Sequence, residues 1–92
     1  MVSTTVTVVN QLGMHARAAA KFVHVANRFA SRIRVSRQGR EMDGKSIMGL
    51  LLLAAARGTT IVISADGSDE REAVKALVSL VVEGFGEDAC NV

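Results

Sequence analysis

A chain of 92 residues, 49% hydrophobic and 22% charged, has room for one domain spanning 1–92 around a modest core. It contains no G-x-x-x-x-G-K-[ST], G-x-G-x-x-G or H-E-x-x-H pattern, so an enzyme with its own cofactor or metal is not expected; a small module acted on by larger partners is. The single cysteine, Cys90, leaves no internal disulfide and no Cys-based zinc site, and reads as an incidental thiol near the terminus.

The longest apolar stretch, Ile47 to Ala56, is about half of the roughly 20 residues a bilayer span needs, and the N-terminus enters a strand pattern without a basic and apolar leader. A soluble cytoplasmic protein without membrane insertion is expected. Net charge is only +2, yet it is unevenly placed. Arg17, Lys21, Arg28, Arg32, Arg34, Arg37, Arg40 and Lys45 face only Glu41 and Asp43, whereas from Gly58 onward acidic residues dominate. Such asymmetry steers association with an acidic protein surface.

In chain order, Thr4 to Val9 alternates as a strand and closes at the turn-forming Asn10. A helix follows over Ala16 to Arg28, with Ala18, Phe22, Val25 and Phe29 spaced as one buried stripe. Ser31 to Ser36 alternates again, Ile33 and Val35 inward and Arg32 and Arg34 outward. Gln38-Gly39 makes a hairpin turn into a short return strand, Arg40 to Met42. Ser46 is placed to cap a short helix starting at Ile47. Thr59 to Ala65 is β-branched and reads as a central strand. After the Asp66-Gly67 turn, Ser68 or Asp69 caps a last helix whose Val74, Leu77, Val78 and Val81 form its inner stripe, and Gly84 stops it. The order β-α-β-β-α-β-α predicts an α+β open-faced sandwich: a four-stranded, mainly antiparallel sheet with three helices on one face.

Gly13-Met14-His15-Ala16-Arg17 is the chemically informative stretch. It puts His15 at or beside the N-cap of the first helix, where the opening amides, those of Ala16 and Arg17 among them, have no partner inside the helix. Those amides and the positive end of the helix dipole suit an anion carried on the ring, and Arg17 adds a guanidinium able to make two hydrogen bonds to phosphate oxygens. No residue is identified as an orienting partner for His15: Asp43, Asp66 and Asp69 are all distant in sequence. His24 falls on the polar stripe with Arg17, Lys21 and Arg28 and is expected to be solvated.

Two motifs, Leu12-Gly13-Met14-His15-Ala16-Arg17-Ala18-Ala19 and Gly44-Lys45-Ser46-Ile47-Met48-Gly49-Leu50, resemble those of the HPr family, the histidine-containing phosphocarriers of the phosphoenolpyruvate-dependent phosphotransferase system. The resemblance runs from the first strand to Gly-Phe-Gly-Glu near the end. It implies a phosphoryl group taken on Nδ1 of His15 from enzyme I and passed to an enzyme IIA-type domain, with Arg17 neutralising the phosphate. Catalysis would reside in the partners, the carrier being a monomer without a cofactor. It further implies phosphorylation of Ser46 by an HPr kinase/phosphorylase, and partner docking through Lys21, Lys45, Ile47, Met48 and Leu51. The residues agree in part, since Ile47 to Leu53 is more apolar than one face of a short helix can bury. Leu50 and Leu53 belong to the core on this reading, and a partly exposed patch is ringed by Arg17, Lys21 and Lys45.

One position departs from the family pattern: Ala18 stands where proline usually follows the arginine. Alanine restores a backbone donor and leaves the turn less rigid. The relay served, sugar uptake or a nitrogen-related or other regulatory branch, stays open at this point. Two other functions compete. One is a binding-only regulatory module controlled through Ser46, with His15 transfer slow or unused. The other is nucleic-acid binding, disfavoured by the absence of Trp, Tyr and any RNP-like strand.

Overall fold

The computed structural model describes residues 1–87. Four strands, β1 (Val2–Thr7), β2 (Arg32–Arg37), β3 (Arg40–Asp43) and β4 (Thr60–Asp66), form one sheet in the order β1-β4-β2-β3, with every neighbouring pair antiparallel. Three helices, α1 (Ala16–Ala26), α2 (Ile47–Leu53) and α3 (Glu70–Val82), cover one face. The period of two explains the layering. Val6, Ile33, Val35, Ile61, Ile63 and Ala65 point inward and are buried, while Ser3, Thr5, Thr7, Arg32 and Arg34 leave the opposite face in water. The expected open-faced sandwich is the observed fold.

The β2–β3 hairpin turns as its sequence demands. Gln38 and Gly39 both take positive φ, 50° and 82°, the conformation of a two-residue turn that matches strand twist. Ser46 caps α2 through its side chain, with the Gly49 amide donating to Oγ at 3.0 Å.

Three expectations shift. β1 ends at Thr7 rather than Val9, because Val8 leaves the ladder to pair with Thr59 and Gly58 (2.9 and 2.7 Å), although its side chain remains fully buried. Helix α1 stops at Ala26, two residues short of Arg28, and its inner face is Ala18, Ala19, Phe22, Val23 and Ala26; Val25 and Phe29 are only half buried against that core. Asp69 stands at the start of α3 but its carboxylate caps nothing there. It reaches across to accept from the Ala30 and Ser31 amides (2.8 and 2.9 Å) and from the Ser31 hydroxyl, tying the α1–β2 connection to α3. Gly84 ends α3 as expected, at φ 66° directly after the C-cap. A 3-10 turn over Gly84–Gly86 brings Phe85 back into the core, fully buried.

Candidate functional site

The segment leading into α1 is held from both sides. Asn10, itself buried, accepts the Gly13 amide on its carbonyl (3.1 Å), and its side-chain amide donates to the Gly13 carbonyl (2.7 Å). Gly13 has φ 68°, and a Cβ there would lie 2.6 Å from the Ala55 carbonyl oxygen and 2.9 Å from the Ala56 Cα. Only glycine fits this crossing. The Met14 amide then donates to Ala55 (2.8 Å), and Met14 is buried. His15 is thereby delivered to the N-cap of α1 in extended backbone, φ −81° and ψ 179°.

Its side chain does not cap the helix, and the amides of Ala16, Arg17 and Ala18 have no partner among the described residues. This is the arrangement expected where a helix start is kept for an anion. The imidazole lies in an open depression that it shares with Arg17, Lys21, Arg57, Leu12 and Val82. Arg17 is exposed and makes no hydrogen bond or ion pair among the described residues. The Lys21 ammonium donates to the Phe85 carbonyl (2.7 Å), so its charge sits at the rim in a fixed place.

The sequence offered no partner for His15, and the structure places one against the ring: Nε2 contacts the Glu87 carboxylate. That carboxylate is positioned in turn, its other oxygen accepting from Asn10 Nδ2 at 3.2 Å. Burial pushes the Glu87 carboxyl upward, but the hydrogen bonds from His15 and Asn10, with the charges of His15 and Lys21, outweigh it and hold the group below the ordinary glutamate value. Arg57 was also missed. It sits in the loop after α2, and only the packing of that loop beside Gly13 brings it to the depression.

Ser46 and Lys45 do not line this depression. Lys45 donates its ammonium to the Phe29 carbonyl (2.7 Å) and is half buried, so it does not stand free at the edge of an apolar patch. On α2, Ile47 and Met48 are 42% and 68% exposed, Leu51 is half buried, and Leu50 and Leu53 belong to the core. Leu52, which the sequence did not single out, is exposed as well. His24 is exposed. No cluster of three or more potential metal ligands occurs among the described residues. Of the basic stretch, Arg34 pairs with Glu41, while Arg37 and Arg40 donate to the Leu53 and Leu52 carbonyls, so much of that charge is committed to the fold.

The site thus holds a histidine that opens a helix beside an unpaired guanidinium, on an open-faced sandwich. The family described as "PTS HPr component phosphorylation site" matches residues 2–83, and the chain belongs to the HPr family of phosphocarriers of the phosphotransferase system. It is 47% identical over 87 residues to the phosphocarrier protein HPr of Cupriavidus necator, covering 95% of this chain and 98% of that one. It is 44% identical over 81 residues to the HPr-like protein Crh of Halalkalibacterium halodurans, covering 88% and 96%. Among solved structures, HPr-C-His from Thermoanaerobacter tengcongensis superposes with a TM-score of 0.92 at 43% identity, over 96% of this chain and 99% of that one.

Proposed function

We propose that this chain carries a phosphoryl group on Nδ1 of His15, received from enzyme I and handed to an enzyme IIA-type domain. The observation that carries the reading is His15 at the N-cap of α1, its side chain free of capping and the first-turn amides unpartnered, with Arg17 unpaired beside it. Amides and guanidinium favour a dianion on the ring, and a helix terminus contributes only about 0.3–1 kcal/mol, which biases the carrier toward loading without trapping its cargo. The exposed Ile47 and Met48, with Leu51 behind them and Lys21 at the rim, supply an apolar docking surface for a transient partner with acidic edges. The protein works as a monomer in the cytoplasm on this reading.

Ser46 is proposed as a regulatory site for an HPr kinase/phosphorylase. The support is the family resemblance of its motif and its position directly before the exposed Ile47 and Met48. A phosphate on Oγ, which now accepts the Gly49 amide, would suit the start of α2 yet set about two negative charges against the docking surface.

The test is incubation with enzyme I and radiolabelled phosphoenolpyruvate, followed by mapping of the label. An acid-labile, base-stable label on His15 of the wild type, absent from His15→Ala, is the expected result. A folded wild type that takes no label would overturn the carrier reading and leave the binding module controlled through Ser46.

A further inference from the structure

The family model matches residues 2–83, while the resemblance in sequence runs on through Gly-Phe-Gly-Glu to Glu87, the residue that contacts His15. The segment is built into the fold. Phe85 is fully buried at φ 60°, between Gly84 and Gly86 at φ 66° and 73°, a run of left-handed residues that reverses the chain after α3. Lys21 holds the Phe85 carbonyl and Asn10 holds one Glu87 oxygen. Asn10 is also the residue that fixes Gly13, so one side chain sets both the approach to His15 and the carboxylate facing it.

An ionised carboxylate has only acceptor sites, and a neutral imidazole has one N–H. A contact between Glu87 and Nε2 therefore requires the proton on Nε2, which leaves Nδ1 with its lone pair uncovered. We propose that Glu87 is the positioning residue of the His15 reaction: it selects the tautomer with a nucleophilic Nδ1 and retains the Nε2 proton through both halves of the transfer. The proposal takes its chemistry from the phosphoryl-carrier reading.

The step balances without any proton entering or leaving the ring. The Nδ1 lone pair forms the new bond to phosphorus as the donor's bond to phosphorus breaks, its electron pair departing with the donor. The ring becomes a phosphoimidazolium whose positive charge, shared with Nε2–H, faces the Glu87 carboxylate. In onward transfer the acceptor attacks phosphorus, the Nδ1–P electron pair returns to the ring, and neutral imidazole with Nε2–H is restored.

The experiment uses full-length protein in two measurements, the ¹⁵N chemical shifts of the His15 ring above its titration range and the rate of transfer from phosphorylated enzyme I. Wild type is expected to show the Nε2–H tautomer alone. Glu87→Ala is expected to show a mixture with Nδ1–H and to transfer about tenfold more slowly, the loss typical when a functional histidine is deprived of its orienting partner. Glu87→Gln keeps an acceptor oxygen and is expected to restore the single tautomer, yet to remain slow because the imidazolium has lost its counter-charge.

A wild-type ring carrying its proton on Nδ1, an unchanged tautomer in Glu87→Ala, or both variants transferring at the wild-type rate would each overturn the assignment. The tautomer measurement needs no phosphate. A wild type that never accepts label would therefore strike the carrier reading, while the spectra still decide whether Glu87 holds the proton.

Discussion

The two short sequences that open α1 and α2 solve the same problem in opposite ways. Both helices begin with amides that no carbonyl inside the helix can satisfy. At α2 the Ser46 hydroxyl takes the Gly49 amide and so caps the start, leaving only the Ile47 and Met48 amides without a described partner. At α1 the N-cap is His15, whose ring turns away from the helix toward Glu87 and leaves the Ala16, Arg17 and Ala18 amides without a described partner. The difference teaches that an N-cap residue chosen against capping propensity marks the helix start reserved for something else. His15 is a poor cap, which fits its proposed role as phosphoryl acceptor, whereas Ser46 is a good cap.

The comparison is broken most severely by removing the charge at the open start. Arg17→Ala is expected to lower the transfer rate from phosphorylated enzyme I about 10²-fold, the scale seen when one donor to a developing anion is lost. Arg17 is exposed and unpaired among the described residues, so the fold should keep its melting temperature. Arg17→Lys should recover only part of the rate, since a point charge cannot reproduce the two-pronged contact of a guanidinium. Rates of Arg17→Ala within twofold of wild type would show that the amides alone hold the phosphate.

Next in size is the support beneath His15. Gly13→Ala forces a Cβ to within 2.6 Å of the Ala55 oxygen at a φ of 68°, and both effects oppose the native backbone. An expected loss of about 1–3 kcal/mol is measurable by urea unfolding. It should be accompanied by slower transfer, because the same glycine delivers the histidine to its N-cap. Gly44, two residues before Ser46, also packs tightly, against Ile33, but without a positive φ, and the α2 start carries the Ser46 capping bond besides. Ser46→Ala should therefore cost about 0.5–2 kcal/mol and leave transfer to His15 unchanged.

Local chemistry was legible where neighbours in sequence are neighbours in space. The Gln38-Gly39 turn, the Ser46 cap and the position of His15 on the helix were all available from a few adjacent residues. Arg57 and Glu87 were not, because each reaches the site through a separate packing event. One follows the crossing of Gly13 over Ala55; the other follows burial of Phe85. Gly84 reads correctly as a helix stop, but nothing in Gly-Phe-Gly states that the following carboxylate returns to a histidine 72 residues away. Asp69 shows the same lesson from the other side. At the head of α3 it looks like a cap, yet three donors from Ala30 and Ser31 claim it.

That clamp carries a pH signature. The Ser31 hydroxyl bond, followed by the Ala30 amide, holds the Asp69 carboxyl below its ordinary value of 3.8 despite some burial. A folded-state pKa below the unfolded one contributes stability that is present above the unfolded value and fades as pH falls through the folded value. Asp69→Asn should therefore unfold at lower urea than wild type at pH 7, and the gap should narrow below about pH 3.8. A gap independent of pH would mean that packing of the side chain, not its charge, ties α1 to α3.

The smallest effect tests how rigid the open start needs to be. Ala18 is the third residue of α1, fully buried, and its amide has no described partner, so proline removes no helix hydrogen bond there. Ala18→Pro should stabilise the protein by about 0.4–1 kcal/mol through the unfolded chain, provided Arg17 keeps its helical backbone against the crowding that proline imposes on its predecessor. Hydrogen exchange of the Ala16 and Arg17 amides should slow, and transfer should change by less than tenfold while remaining competent. If neither exchange nor rate moves, the alanine-opened turn is already as ordered as the reaction requires, and the contrast with the capped start at Ser46 rests on unpaired amides alone.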